Sequence, residues 1–345
     1  MITEKQINEI RDHLKQAKNP LFFFDNDIDG LASFLLLQRY VGAGKGVAIK
    51  SYPGLSRAYF RKVEELHPDY IFVLDKPSVD EDFLEEVEKA GIPLVWIDHH
   101  DIGKPNIKNY YNTFHESGKT EPTSYLCYQV TKKKEDIWIA IIGCIGDCYI
   151  PDFLSEFKKE NPDLVDYDYK WAFDVLYNTK IGKVARVLGF GLLDRTSNVV
   201  SMLRYLVKVK NAYDVLEENH NTRSYLNRYN QINEKYKKII EKAERFVDKK
   251  NKLLFFTYGG DLSISQDVSN ELIYRHPDLV VVVGYIKGNY ANFSLRGNVE
   301  IKEITLNAIK NIEGATGGGH TYATGAKMTA EQVDKFKENI LKELG

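Results

Sequence analysis

The sequence predicts an α/β fold: a larger N-terminal domain, a helical connector and a smaller C-terminal α/β domain. Three observations carry this. In the first hundred residues short apolar runs alternate with helical stretches, the middle of the chain reads as helical, and the alternation restarts after residue 250. Apolar runs separated by helices imply βαβ units and a buried parallel sheet.

The elements follow in order. Residues 4–17 read as an amphipathic helix, and Leu21-Phe22-Phe23-Phe24 as a buried strand. A helix over 31–40, a strand over 47–52 and a helix over 57–66 come next. Strand 70–74, helix 81–90 and strand 93–97 complete the alternation. From Pro122, which suits a first helical turn, to about residue 220 the pattern is mostly helical. Residues 137–145 are apolar enough to be core. Ile232, Tyr236, Ile239, Ala243 and Phe246 recur at spacings of three and four, predicting one long helix over 231–247. Residues 228–252 hold nine Lys/Arg against four Asp/Glu, as a solvated connecting helix or one wall of an anionic-ligand groove would. Segments 253–258, 279–286 and 289–295 are strand-like. The expected organisation is a catalytic core over 1–150, a helical extension and connector over 151–250, and a substrate-binding domain over 251–345. There is no internal repeat.

Composition narrows the function classes. The 345 residues carry 47 Lys+Arg against 49 Asp+Glu, a net charge of −2, with 43% hydrophobic residues. That excludes global disorder and a histone-like polycation, while a local basic groove stays compatible with nucleic acid. The most apolar stretches, 137–146 and 279–286, fall short of the ~18 residues a membrane span needs, so no membrane partner is expected. Met1 leads directly into Thr3-Glu4-Lys5-Gln6 without a secretory signal, and three cysteines cannot form a disulfide framework. A cytoplasmic location is the expectation. Cys144 and Cys148 read as core thiols one helical turn apart.

Three acidic clusters end three successive strands. Residues 21–24 run into Asp25-Asn26-Asp27-Ile28-Asp29-Gly30, residues 71–74 into Asp75, and residues 94–97 into Asp98-His99-His100-Asp101. The carboxyl ends of parallel strands share one edge, where ligands bind, so these side chains should converge. Asp147, after the apolar run ending at Gly146, is a fourth candidate. So many carboxylates with two histidines require a neutralising cation. Mixed oxygen and nitrogen ligation without cysteine suits Mn²⁺, Mg²⁺ or a catalytic Zn²⁺. Two ions bridged by a carboxylate are a common device for in-line attack at phosphorus. A second signal lies in Gly314-Ala315-Thr316-Gly317-Gly318-Gly319-His320, read as a glycine-rich loop, with Arg296 closing the strand before it. Glycines admit a phosphate close to backbone N–H groups, and Arg offers a bidentate fork. Gly42-Ala43-Gly44-Lys45-Gly46 lacks P-loop spacing and reads as a plain turn.

Asp98-His99-His100 with Asp27-x-Asp29-Gly30, Asp75, Asp147 and Gly317-Gly318-Gly319-His320 resembles the DHH/DHHA1 phosphoesterase superfamily, most of all its archaeal RecJ-like exonucleases. The resemblance covers residues 20–150 as the DHH domain, with a mainly parallel five-stranded sheet, and about 250–340 as DHHA1. It implies a metal-dependent phosphodiesterase that hydrolyses single-stranded DNA or RNA to 5′-nucleotides, using two divalent cations, Mn²⁺ first and Mg²⁺ as the alternative. Asp27, Asp29, Asp75, His99 and Asp147 would ligate them, Asp75 bridging. Asp98 would orient His99, and His100 would contact the scissile phosphate. Arg296, Gly317, Gly318, Gly319 and His320 would bind a neighbouring phosphate or the chain terminus.

Two departures accompany the resemblance. The histidine that many relatives carry before Asp-x-Asp-Gly is replaced, the candidate positions holding Phe23 and Asp25, with Asp25 able to substitute as an oxygen ligand. Lys76-Pro77 follows Asp75 where relatives carry a small residue, placing a positive charge near the substrate or reshaping the loop. Alternatives are a phosphodiesterase of short oligonucleotides, cyclic dinucleotides or bisphosphates, and a weakly active adaptor in a replication or repair complex. Inorganic pyrophosphatases are more distant relatives. Tyr52, Tyr59 and Tyr149 are candidates for base stacking, or for ordinary packing.

Overall fold

The computed structural model describes residues 2–51 and 54–345. The chain forms two compact units, Met1–Tyr229 and Asn230–Gly345.

The first unit opens with α1 (Glu4–Gln16), whose N-terminus is closed by a capping box between Thr3 and Gln6. There follow β1 (Pro20–Asp25), α2 (Ile28–Val41), β2 (Lys45–Ile49), α3 (Phe60–Leu66), β3 (Tyr70–Leu74), α4 (Glu81–Lys89), β4 (Leu94–Asp98) and the short β5 (Tyr110–Asn112). The five strands are parallel in the order β2-β1-β3-β4-β5. The order places β1, β3 and β4 side by side, so the three acidic strand ends share one edge.

The continuous apolar runs follow from burial on both faces. Successive side chains of a strand point to opposite sides. Leu21 and Phe23 therefore join Ile71, Val73, Phe83 and Trp96 in one core. Phe22 and Phe24 instead meet Phe34 of α2, Phe24 stacking on it with centroids 5.1 Å apart. After β5 come α5 (Thr113–Ser117), α6 (Thr123–Thr131) and α7 (Ile137–Gly146); α2 lies on that second face, and α6 and α7 pack against α2. All of α7 from Ile137 to Ile145 is buried, matching its sequence.

The segment after α7 is helical: α8 (Leu154–Glu160), α9 (Ala172–Asn178), α10 (Lys180–Leu192), α11 (Thr196–Leu206), α12 (Ala212–Leu216) and α13 (Arg223–Ala243), with the unit boundary inside α13. It is tied to the sheet layer by Arg39, whose guanidinium pairs with buried Asp136 and donates to the carbonyl of Val209 at 2.6 Å. The helix expected over 231–247 starts earlier and ends at Ala243. Phe246 sits beyond it in a 3-10 turn, 54% exposed, not on the buried helix face.

The second unit holds β6 (Val247–Asp248), β7 (Leu253–Gly259), α14 (Ser265–Arg275), β8 (Val280–Lys287), β9 (Tyr290–Arg296), α15 (Ile301–Ile309), β10 (Thr316–His320), β11 (Ala323–Thr329) and α16 (Val333–Leu344). Its sheet runs β10-β11-β9-β8-β7-β6, antiparallel except for the β7–β8 pair. Phe255, Val282, Phe293, Leu295, Ile301 and Phe336 are among its core. Among the described residues, no helix is long and apolar enough to cross a membrane.

Candidate metal centre

Asp25 closes β1, Asp75 follows β3 and Asp98 closes β4, so parallel register delivers all three to one edge. Two glycines explain the close approach of the other groups. A Cβ on Gly30 would stand 2.5 Å from the carbonyl oxygen of Asp25, so only glycine lets α2 start this tightly against β1. A Cβ on Gly146 would lie 1.8 Å from Ile28 Cγ2, so glycine lets the end of α7 meet the start of α2. Asp147, the C-cap of α7, is thereby brought to Asp27 and Asp29.

Asp27 is the N-cap of α2 and accepts from the Gly30 amide at 3.0 Å. Asp29, on the first turn and 1% exposed, accepts from the amides of Thr123 (2.8 Å) and Ser124 (3.0 Å) and from the Ser124 hydroxyl. Those amides open α6, where helix geometry leaves N–H groups unpaired and favours negative charge. Asp75 adopts φ 60, the left-handed region uncommon for non-glycine residues and often found at functional sites. It accepts from the Thr123 hydroxyl at 3.2 Å. His99 Nε2 lies 3.3 Å from Asp75 Oδ1 and 3.2 Å from Asp147 Oδ2. Ligand atoms of Asp29, His99 and Asp147 fall within 4.8 Å of one another, as do those of Asp75, His99 and His100.

The electrostatics follow from crowding. Burial and the Asp147 charge raise the Asp29 carboxyl to about 6. Asp75 is pushed well above the usual carboxylate range by burial and by Asp29 and Asp27. Asp27 moves the same way through burial and through Asp25, Asp147 and Asp29. Burial disfavours the charged form of His99, but Asp147, Asp75 and Asp29 outweigh it and raise the imidazole well above its ordinary value. Buried carboxyls that repel one another around an imidazole, with no thiolate among them, match what a divalent cation of oxygen and nitrogen preference requires.

The ring held by Asp98 is that of His100, where the resemblance implied His99. His100 Nδ1 donates to Asp98 Oδ1 at 2.7 Å and its amide to Oδ2 at 3.2 Å. Asn112, at the end of β5, donates to Asp98 Oδ2 at 3.3 Å and to the His100 carbonyl at 3.0 Å, fixing this turn. The geometry explains the difference: a side chain two residues back along the turn reaches His100, while His99 points into the carboxylates. His100 is the more open ring, 23% exposed against 4% for His99.

Asp25 is engaged elsewhere. Lys76, 1% exposed, places its ammonium 3.0 Å from Asp25 Oδ1 and donates to the Ser51 carbonyl at 3.3 Å. The positive charge after Asp75 is therefore spent on Asp25. Thr123 and Ser124 are the residues sequence reasoning missed. Their signal was a helix start at Pro122, whose free amides needed an acceptor.

In the second unit the glycine-rich segment is a strand, β10, rather than a loop, because Gly317–Gly319 pair with Thr324–Ala326 of β11. His320 pairs with Ala323, which on its other side pairs with Arg296, so both basic residues share one face of the sheet. Arg296 donates to Asn270 Oδ1 at 2.6 Å. Of the candidate stacking aromatics, Tyr59 packs edge-on against Phe23 and accepts the Lys50 amide, and Tyr149 packs against Tyr125. Tyr52 lies outside the described residues. Cys144 is buried, but Cys148 is exposed and past the helix, with φ 56, so it is not a core thiol.

Residues 21–146 match the DHH family, N-terminal domain. An uncharacterized protein of Methanocaldococcus jannaschii is 30% identical over 117 residues, 32% of this chain and 26% of that protein. RecJ in complex with Mn²⁺ from Thermus thermophilus superposes with a TM-score of 0.70 at 15% identity, over 99% of this chain and 54% of that one. A pGpG-specific phosphodiesterase from Vibrio cholerae gives 0.53 at 12% identity, over 95% of this chain and 99% of that one. The chain thus spans about a quarter of the curated relative it matches and about half of the Thermus RecJ. Residues 21–146 thus carry the DHH-family N-terminal domain, and the chain shares its fold with RecJ.

Proposed function

We propose that the chain is a metal-dependent phosphodiesterase, a RecJ-like exonuclease that hydrolyses single-stranded DNA or RNA to 5′-nucleotides. The observation that carries this reading is the convergence of Asp29, Asp75, Asp147, His99 and His100 at one sheet edge, with ligand atoms of Asp29, His99 and Asp147, and of Asp75, His99 and His100, each within 4.8 Å of one another. Asp27, Asp29, Asp75, His99 and Asp147 would hold the divalent cations, Mn²⁺ or Mg²⁺. Bound there, the ions would supply positive charge at the phosphoryl oxygens and a water acidic enough to ionise near neutral pH. The protein's own part is orientation. Thr123 and Ser124 aim Asp29, Thr123 also fixes Asp75, and Asp98 with Asn112 sets the ring of His100, the more exposed imidazole, to meet the substrate phosphate.

The second unit would act as a DHHA1-type substrate domain. Gly317, Gly318 and Gly319 would let a phosphate approach the backbone, and Arg296 and His320 would contribute charge from the same face. A second reading is cleavage of short oligonucleotides. The chain shares its fold with nearly the whole of the pGpG-specific phosphodiesterase, as it does with nearly the whole of a second manganese-bound RecJ exonuclease, so substrate length has to be measured.

The test is hydrolysis of end-labelled single-stranded RNA and DNA, from dinucleotides to long oligomers, with Mn²⁺, Mg²⁺ or EDTA. An Asp98→Ala/His99→Ala protein is the control for contaminating nuclease. Metal-dependent product ladders absent from the control are expected. The shortest efficient substrate separates the two readings, and no metal-dependent cleavage at any length would sink both.

A further inference from the structure

We propose that Lys76 is a built-in cation that removes Asp25 from the metal-binding set. This rests on the metal reading of the acidic edge given above. Three observations carry it. The Lys76 side chain is 1% exposed, so its ammonium must be compensated inside the protein, and Asp25 Oδ1 at 3.0 Å is the carboxylate that does so. The remaining contacts fix the lysine in that pose. Its Nζ donates to the Ser51 carbonyl at 3.3 Å, and its own carbonyl accepts the Trp96 indole N–H at 2.9 Å. Finally, Asp25 Oδ1 also accepts the Asn26 amide at 2.8 Å, so this oxygen already holds two donors.

The pairing links the two departures of the sequence from the family pattern. Asp25 ends β1 and Lys76 lies two residues beyond β3. Phe24 pairs with Leu74 in parallel register, so the two side chains are neighbours although 51 residues apart. An acidic residue at position 25 alone would add another carboxylate to a crowded edge. With Lys76 beside it, that corner carries no net charge. The divalent ions are left to Asp27, Asp29, Asp75, His99 and Asp147, and Asp25 becomes a positioning residue at the start of the Asp-x-Asp-Gly turn.

The experiment is calorimetric titration of the metal-free full chain with Mn²⁺, its readout being affinity and stoichiometry, not turnover. Asp25→Asn keeps an oxygen for the ammonium and should leave affinity within about threefold of the parent. Asp75→Asn should weaken it by about a hundredfold or more. Lys76→Met releases Asp25 and removes a competing cation, and should tighten Mn²⁺ binding by about tenfold. The Lys76→Met/Asp25→Asn double variant should lose that gain. The inference is overturned if Asp25→Asn weakens binding as much as Asp75→Asn, or if a folded Lys76→Met binds more weakly than the parent. Should Lys76→Met fail to fold, the comparison of Asp25→Asn with Asp75→Asn decides the matter alone. A parent chain that binds neither Mn²⁺ nor Mg²⁺ would bring down the metal reading and this inference together. An Asp25 ligand would bring down only the latter.

Discussion

The parallel sheet of the N-terminal unit ends in Asp27, Asp29, Asp75 and His99, all with protonation shifted upward by burial and mutual charge. The edge strand of the C-terminal sheet ends instead in three glycines and His320, with a Gly318 Cβ meeting nothing within 4 Å. The first region concentrates chemistry by crowding groups that would rather be apart. The second makes room by leaving side chains out. A crowded site should therefore trade stability against activity, whereas the open strand should lose function without losing stability.

The largest effect that separates the two regions is expected at Asp75. Asparagine tolerates the left-handed backbone that this residue adopts at φ 60, so Asp75→Asn removes charge without straining the turn. Metal-dependent phosphodiester hydrolysis should fall on the order of 10³-fold, about 4 kcal/mol of transition-state stabilisation. The metal-free variant should meanwhile melt no lower than the parent, because one of the repelling carboxyls is gone. A large drop in its melting temperature together with retained activity would show that the edge is structural.

The next effect is on pH dependence. Asp29 titrates at about 6 in the folded chain, against ~3.9 when unfolded. Between those values the native state binds more protons, so stability falls as pH rises and the loss is complete above the folded value. Asp27, Asp75 and His99 are shifted in the same direction and add to the same slope. The metal-free protein should therefore unfold at lower urea concentration at pH 8 than at pH 5, by roughly 1 kcal/mol from Asp29 alone. Saturating Mn²⁺ should remove most of this slope. The part owed to Asp267 of the other unit, raised to about 6 by burial, should persist. A profile unchanged by Mn²⁺ would place the pH dependence outside the acidic edge.

The two regions also differed in how far the sequence disclosed them. Four-residue apolar runs ending in Asp announce β1, β3 and β4 and with them most of the acidic edge, because a buried parallel strand leaves a contiguous trace. The strand identity of residues 316–320 left no such trace. Glycine carries no side chain to alternate, and pairing with β11 alone makes the segment a strand. The Lys76–Asp25 pair was hidden for another reason: it depends on register between strands far apart in sequence. The choice of His100 over His99 by Asp98 was equally invisible, since it turns on the path of one tight turn held by Asn112.

The smallest effect tests the open strand. Gly317 cannot serve, because a Cβ there would stand 2.9 Å from the Gly325 carbonyl oxygen and from Ile309 Cδ1. Gly319 has φ 139, so any substitution there is strained. Gly318 is free of both constraints. Gly318→Ala should leave the melting temperature equal or slightly higher, since alanine in an unstrained strand gains roughly 0.5–1 kcal/mol over glycine. If this backbone receives a phosphate, the added methyl should raise KM for an oligonucleotide severalfold, on the order of 1 kcal/mol, while kcat holds, because uniform binding and not chemistry is touched. An unchanged KM would mean that the glycines serve only the β10–β11 pairing, and Arg296 and His320 would then have to grip substrate without them.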